Sequence, residues 1–477
     1  MYAARRAALR WTLPVLLLTL HLCLDAVAQK LGTVHTIFIA PVDAGSSAAT
    51  IAKRLSEQLD RSGSLRVVSD AAAADAVLHA TASIWVSGTV SPNFRSHSVH
   101  DVNYQGHLSA ELIGRDRETL WSYMVTPRSS RSSGIADDLA DQLAARLVAA
   151  IRAGIPYPTT PSASPGAVST TLQAAGSTLP VPLYLKWFQS YAQTQPGTVI
   201  LYDPIGSEAG LERLKAGSID FAGSDIPPPA SSTLLHFPTV LGGVVPAYNL
   251  PTLDSRTLNL TPQALAGIYS GSIRKWNDPL IRESNHGLHL PDADIAVIHR
   301  SDGSGTTYIW SSFLSEVSPD WKSHYGAAPR ITWPVGTGAE TNEGVARRVQ
   351  QTPNSIGYVE LIYAIQHQLS YAAVRNPAGQ FVKATLDTIL AAASAPSQSG
   401  DSSLSILNAA GRNAYPISAF TWILVPAQSS DDRKREAILQ FLRWMLTLGQ
   451  KQCEVLGYGP LPRRIVTQEL DALNRLK

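Results

Sequence analysis

From Tyr157 to Gly166 the chain reads Tyr-Pro-Thr-Thr-Pro-Ser-Ala-Ser-Pro-Gly. Three prolines at this spacing interrupt both helix and sheet hydrogen bonding. No apolar periodicity crosses the stretch, so residues 156–168 read as an exposed linker. The chain must therefore build separate cores on either side of it. Its 477 residues suffice for two or three. With 44% hydrophobic and 16% charged residues, neither a largely disordered nor a collagen-like chain fits.

The first 28 residues read as a secretory signal peptide: arginines at 5, 6 and 10, an apolar run from Trp11 through Leu24, and a small-x-small site at Ala26-Val27-Ala28. That run is shorter than the ~20 residues of a spanning helix, and no later segment qualifies as one. The chain is thus expected outside the cytoplasm, periplasmic or extracellular. Leu22 is too bulky for a lipid-attachment motif at Cys23. Cleavage leaves Cys453 as the single cysteine, which excludes an intramolecular disulfide and argues against a cysteine metal site. Of 39 basic and 37 acidic residues, Arg5, Arg6, Arg10 and Asp25 go with the signal, leaving 36 of each. A near-neutral chain without a Lys/Arg stripe is not expected to bind nucleic acid.

Residues 30–155 carry strand-like runs at 34–42, 65–68, 77–86, 104–113 and 119–125. Helical spacing appears through Ile51, Leu55 and Leu59, and again over 135–151. This predicts a small α/β domain. It holds no recognisable catalytic constellation and reads as an interaction or tethering unit of unknown partner.

Across 169–477, short apolar strands alternate with helices in segments such as 183–192, 210–216, 221–223, 262–270, 295–298 and 306–314. Such alternation predicts parallel sheets covered by helices, in two α/β lobes with a cleft between them.

Three segments in this region place glycine and a hydroxyl residue just before an expected helix: Gly176-Ser177-Thr178, Gly206-Ser207 and Gly303-Ser304-Gly305-Thr306. A helix N-terminus presents unpaired N–H groups and partial positive charge, glycine admits close approach, and hydroxyls add donors. One such segment is ordinarily a helix cap. Three suggest convergence on a tetrahedral oxyanion. Arg300 supplies a guanidinium that matches an oxyanion, and Asp302, two positions on, can hold it by an ion pair. Asp225 should repel an anion unless that anion carries a proton. Monohydrogen phosphate can donate to a carboxylate, whereas sulfate at neutral pH cannot.

The segments Ala174-Ala-Gly-Ser-Thr-Leu-Pro-Val-Pro-Leu-Tyr184, Ile205-Gly-Ser, Asp220-Phe-Ala-Gly-Ser-Asp225, Ile268-Tyr-Ser-Gly-Ser-Ile-Arg-Lys-Trp276, Arg300-Ser-Asp-Gly-Ser-Gly-Thr306 and Ser355-Ile-Gly-Tyr-Val-Glu360 closely resemble those of the PstS-type phosphate-binding proteins of phosphate ABC transporters. They stand in the family's order. The resemblance implies a two-lobed periplasmic-binding-protein (Venus-flytrap) module, with crossing strands expected near 243–250 and 414–420. It implies phosphate binding by Thr178, the backbone N–H of Leu179, Ser207, Asp225, Arg300, Ser304, Gly305 and Thr306, with Asp302 orienting Arg300. It also implies delivery to an ABC transporter permease, with no cofactor. Three features depart from the family: leucine at 179, where phenylalanine is frequent, the extra domain before the linker, and a polar insert around 395–403.

An enzyme is the first rival. Ser304 lies near His299, but the segment is not a Gly-x-Ser-x-Gly elbow, and no histidine/carboxylate set has metal-ligand spacing. The second rival keeps the fold and makes the protein an extracellular phosphate sensor or envelope-associated scaffold. Arsenate, which also carries a proton, is not rejected by Asp225 on charge grounds.

Overall fold

The computed structural model describes residues 31–89, 102–115, 119–125, 134–153, 170–227, 233–251, 257–394, 405–428 and 431–476, with 127 and 253. The expected signal peptide, Cys23, the linker and the 395–403 insert lie outside these residues.

Before the linker, strands β1 (Thr36–Ile39), β2 (Arg66–Val67), β3 (Ala76–Thr89), β4 (Val102–Gly114) and β5 (Thr119–Val125) form one sheet in the order β2-β1-β3-β4-β5. Helices α1 (Ala48–Arg61) and α2 (Ile135–Ala153) cover it. Ile51, Leu55 and Leu59 of α1 and Leu139, Leu143 and Leu147 of α2 are buried against Ile37, Leu78, Leu108 and Leu112. Those spacings put each apolar set on one helix or sheet face.

This unit docks on the region beyond the linker. Met124 of β5 belongs to the core of that region, and its Cε lies 2.5 Å from where a Cβ on Gly457 would sit. Leu386 of the later region packs in turn into the first core. Glu111 pairs with Lys186 at 2.8 Å, and Asp387 accepts from Tyr123 OH at 2.8 Å and pairs with Arg146.

After the linker come β6 (Thr170–Gly176), α3 (Val181–Thr194), β7 (Thr198–Asp203), α4 (Ser207–Lys215), β8 (Phe221–Ser224), the long β9 (Leu234–Asn249), β10 (Asn259–Leu260), α5 (Pro262–Ser270), α6 (Pro279–Arg282), β11 (Ala296–Arg300), α7 (Gly305–Val317) and α8 (Pro319–His324). They continue with β12 (Thr337–Ala339), α9 (Thr341–Gln351), β13 (Ser355–Glu360), α10 (Leu361–Gln366), β14 (Ser370–Tyr371), β15 (Ala373–Arg375), β16 (Phe381–Val382), α11 (Leu386–Ser394), β17 (Ser418–Pro426), α12 (Asp432–Leu446) and α13 (Arg463–Asn474). The order β12-β11-β13-β9-β17-β8-β6-β7 runs through one continuous ladder, with β14 also on β9.

The ladder is parallel only at its flanks, where β6 pairs β7 and β8, and β11 pairs β12 and β13. At the centre β9 pairs antiparallel with β17 up to Gly243 and with β13 from Val244. The sheets are thus mixed rather than wholly parallel as alternation suggested. Strand β9 leaves the first lobe and its partners β13 and β17 run against it, so both central pairings are antiparallel.

The partner switch inside β9 divides the region into two lobes, so the first crossing falls at Gly243/Val244, the start of the range expected. The second comes where Ile417 O accepts from Val244 N–H at 2.9 Å, within the range 414–420. Packing is close here: a Cβ on Gly242 would lie 2.9 Å from Leu179 Cδ2, and one on Gly243 2.8 Å from Ile389 Cδ1.

Candidate functional site

All three glycine-hydroxyl segments stand where the sequence placed them, between a strand and a helix. Strand β6 ends at Gly176 with φ +139°, and a Cβ there would lie 2.0 Å from Gly223 O, so only glycine lets β6 run this close to β8. Gly206, at φ +93°, precedes α4, which starts at Ser207. Ser304 caps α7, its Oγ accepting from Thr307 N–H at 3.2 Å. The first-turn N–H groups of Gly305 and Thr306 have no acceptor within the helix.

The structure brings these starts together from both lobes. A Cβ on Gly305 would lie 2.4 Å from both Asp225 Oδ2 and Ser207 Oγ, so α7 of the second lobe meets α4 and β8 of the first at van der Waals range. Asp225 N–H donates to Ser207 Oγ at 3.3 Å. Thr178, Ser207, Asp225, Arg300, Ser304 and Thr306 are each buried.

Two carboxylates respond in opposite senses. Asp225 Oδ2 accepts from Ser177 Oγ at 2.6 Å, while its Oδ1 is buried and takes no hydrogen bond from the described residues. Burial pushes its carboxyl up to about 7, against the smaller opposing pull of Ser177 and the Arg300 charge. Asp302 is also partly desolvated, but its hydrogen bonds and charge pairing with Arg300 outweigh that and hold it below the usual carboxylate range. Arg300, its side chain buried, donates Nε to Asp302 Oδ1 at 2.7 Å and Nη2 to Oδ2. Its Nη1 lies 3.5 Å from Thr306 Oγ1. Asp302 thus holds the guanidinium through two of its nitrogens.

The N–H of Leu179 donates to Ser177 Oγ at 3.0 Å, and Ser177 in turn donates to Asp225 Oδ2. A serine that must donate to Asp225 and can accept from Leu179 satisfies both bonds with one hydroxyl.

Sequence reasoning missed four residues here. Asn342 of α9 donates to Thr178 Oγ1 at 3.1 Å and Thr306 Oγ1 at 3.0 Å. Tyr363 and Tyr458 donate to Thr178 O and Leu179 O, each at 2.7 Å, and clamp that peptide. Tyr358 OH accepts from Arg300 N–H at 3.1 Å. Each lies far along the chain from the motif it serves and outside the three glycine-hydroxyl segments. Only Tyr358 sits inside one of the family-like segments.

Among the described residues no group of three His, Cys, Asp or Glu could hold a metal ion, and no helix is long and apolar enough to cross a membrane. A cavity of about 210 Å³ abuts Asp225 beside β17, lined in part by Tyr308, Ile309, Phe420 and Trp422.

The PBP superfamily domain matches residues 161–447. A phosphate-binding protein PstS of Xylella fastidiosa is 44% identical over 316 residues, covering 65% of this chain and 86% of its own. One from Pasteurella multocida is 39% identical over 302 residues, covering 62% and 88%. A high-affinity periplasmic phosphate-binding protein solved with phosphate bound superposes with a TM-score of 0.50 at 20% identity, over 63% of this chain and 93% of its own. That likeness bears on the fold, which is the two-lobed α/β arrangement.

Proposed function

The chain belongs to the PstS phosphate-binding branch of the PBP superfamily, and from that premise we propose that it binds inorganic phosphate outside the cytoplasmic membrane and delivers it to the permease of an ABC importer. The ligands proposed are Thr178, the backbone N–H of Leu179, Ser207, Asp225, Arg300, Ser304, Gly305 and Thr306, with Asp302 orienting Arg300. Residues 169–477 would form the binding module and residues 30–155 a docked accessory domain. Export through a signal peptide over 1–28 would bring the chain to the compartment where an importer collects its substrate.

Asp225 carries the reading. A buried carboxylate with one oxygen left for a donor, in a ring of hydroxyls and helix N-termini, suits an anion that is acceptor on most sides and donor on one. Monohydrogen phosphate has that pattern. Sulfate would set an unprotonated oxygen against an unpaired buried carboxylate, a costly contact.

Calorimetry of phosphate and sulfate on the wild type and Asp225→Asn tests this at pH 8, above the value of about 7 to which burial pushes the carboxyl. The wild type should take phosphate and reject sulfate. In the variant, whose carboxamide can donate to sulfate, the preference should narrow by at least ~10-fold. Equal wild-type affinity for both anions defeats the proposal. The second reading, a phosphate sensor or envelope scaffold, draws support from the accessory domain, which grips Asp387 on α11 through Tyr123 and Arg146.

A further inference from the structure

We propose that Asn342 is a positioning residue that sets the polarity of the Thr178 and Thr306 hydroxyls, making both donors toward the bound anion. The inference rests on the reading of those two threonines as phosphate ligands.

Asn342, the second residue of α9, has no solvent exposure. Its Oδ1 accepts from the backbone N–H of Glu360 at 3.0 Å. A backbone N–H can only donate, so this bond fixes which end of the amide is oxygen. The Nδ2 end must then face the threonines, and it donates one hydrogen to each, at 3.1 and 3.0 Å. The amide is thereby engaged in three directions at once.

A hydroxyl has a single hydrogen and can accept or donate as its rotor allows. Left alone, the two threonines could turn lone pairs toward an anion as readily as hydrogens. With Asn342 occupying an acceptor site on each, and Arg300 Nη1 near a second on Thr306, the hydrogen of each is free to point elsewhere. Among the described residues neither hydroxyl donates to a protein acceptor. The hydrogen is reserved for a ligand that accepts.

The arrangement also spans the cleft. Thr178 follows β6 in the first lobe, whereas Thr306 and Asn342 belong to the second. The residue before Asn342 is itself unusual: Thr341 sits at φ +60°, a costly conformation for a β-branched side chain. Its N–H donates to Asp302 Oδ1 at 3.3 Å, so the strained turn serves Asp302 on one side and presents Asn342 on the other.

A double-mutant cycle read by calorimetry tests the proposal. Asn342→Leu should weaken phosphate binding roughly 10- to 100-fold, the worth of charge-assisted hydrogen bonds that lose their orientation. Asn342→Asp, which accepts from both hydroxyls and turns their hydrogens away, should lose at least as much. In a Thr178→Val, Thr306→Val background, Asn342→Leu should change affinity by less than about threefold, because nothing is left to orient. An equal loss in both backgrounds marks a purely structural role and overturns the proposal, as does unaltered affinity in Asn342→Leu.

Neutron diffraction of the deuterated wild type needs no variant and decides the same point if the substitutions unfold the chain. Deuterons on the pocket side of both threonines support the assignment, and a hydroxyl deuteron directed at Asn342 overturns it. A wild type that takes up no phosphate in the calorimeter defeats the phosphate reading instead, and the neutron map still decides the polarity.

Discussion

At the scale of the residue, Asp225 makes the binding site expensive to keep. Its folded-state pKa, pushed by burial up to about 7, lies above the 3.8 of an exposed aspartate. A carboxyl raised in this sense favours the folded, ligand-free protein while protonated. The benefit is complete below pH ~4 and is lost as pH rises through about 7, where the group must ionise without a full set of donors. A shift of this size corresponds to a few kcal/mol, on the order of 1.4 per unit. Asp225→Asn cannot titrate, so the variant should unfold at a higher temperature than the wild type at pH 8. The gap should close as pH falls from 7 to 4. Thermal unfolding in phosphate-free buffer measures this. Equal unfolding temperatures at pH 8 would mean that the carboxylate is solvated in the free protein. Asp302, held down by Arg300, should behave as an ordinary paired carboxylate and lose its stabilising contribution only in acid.

At the scale of the element, the site is a meeting of helix starts, and Gly305 shows how little room the meeting leaves. A methyl on Gly305 would press on Asp225 Oδ2 and Ser207 Oγ at 2.4 Å, across the boundary between lobes. Gly305→Ala should therefore hold the lobes apart and weaken phosphate binding by ~10- to 100-fold or more, the scale of overpacking. Alanine is well suited to a helix start, so the ligand-free unfolding temperature should move little. A variant that binds as the wild type does would show that the helix starts can separate without loss. The motifs that converge here were readable because each compresses into a few consecutive residues with glycine and hydroxyls. The helices they start, α4 and α7, were likewise visible in local apolar spacing. Asn342 was not readable. Its partners are 36 and 164 positions away, and nothing local distinguishes it from a surface asparagine at a helix start. The antiparallel centre of the ladder was also hidden, because β9 is buried almost throughout and shows no period that separates one pairing direction from the other.

At the scale of the whole molecule, one strand belongs to two lobes, and the contacts that join the lobes across the cleft exist only when they meet. The buried ones surround the pocket. One exposed pair lies at the rim: Arg330 of the second lobe donates Nε and Nη2 to Glu208 Oε2 of α4, at 3.2 and 2.9 Å, and Nη1 to Ser301 O at 3.1 Å. Glu208 N–H reaches Gly303 O at 3.3 Å beside it. The Arg330 side chain is 59% exposed, so the ion pair contributes no more than about 1 kcal/mol. Even so, every such contact must break before the ligand leaves, whereas none need form before the ligand enters. Glu208→Gln should therefore raise the phosphate release rate by up to about fivefold in low salt. At ~1 M salt, where screening acts within about 3 Å, the wild type should release at a rate close to the variant's. Stopped-flow displacement at both salt concentrations separates the cases. A salt-independent difference would trace the effect to the packing of Glu208 over Gly303 rather than to its charge, and identical release rates in low salt would mean that the buried contacts alone hold the lobes together.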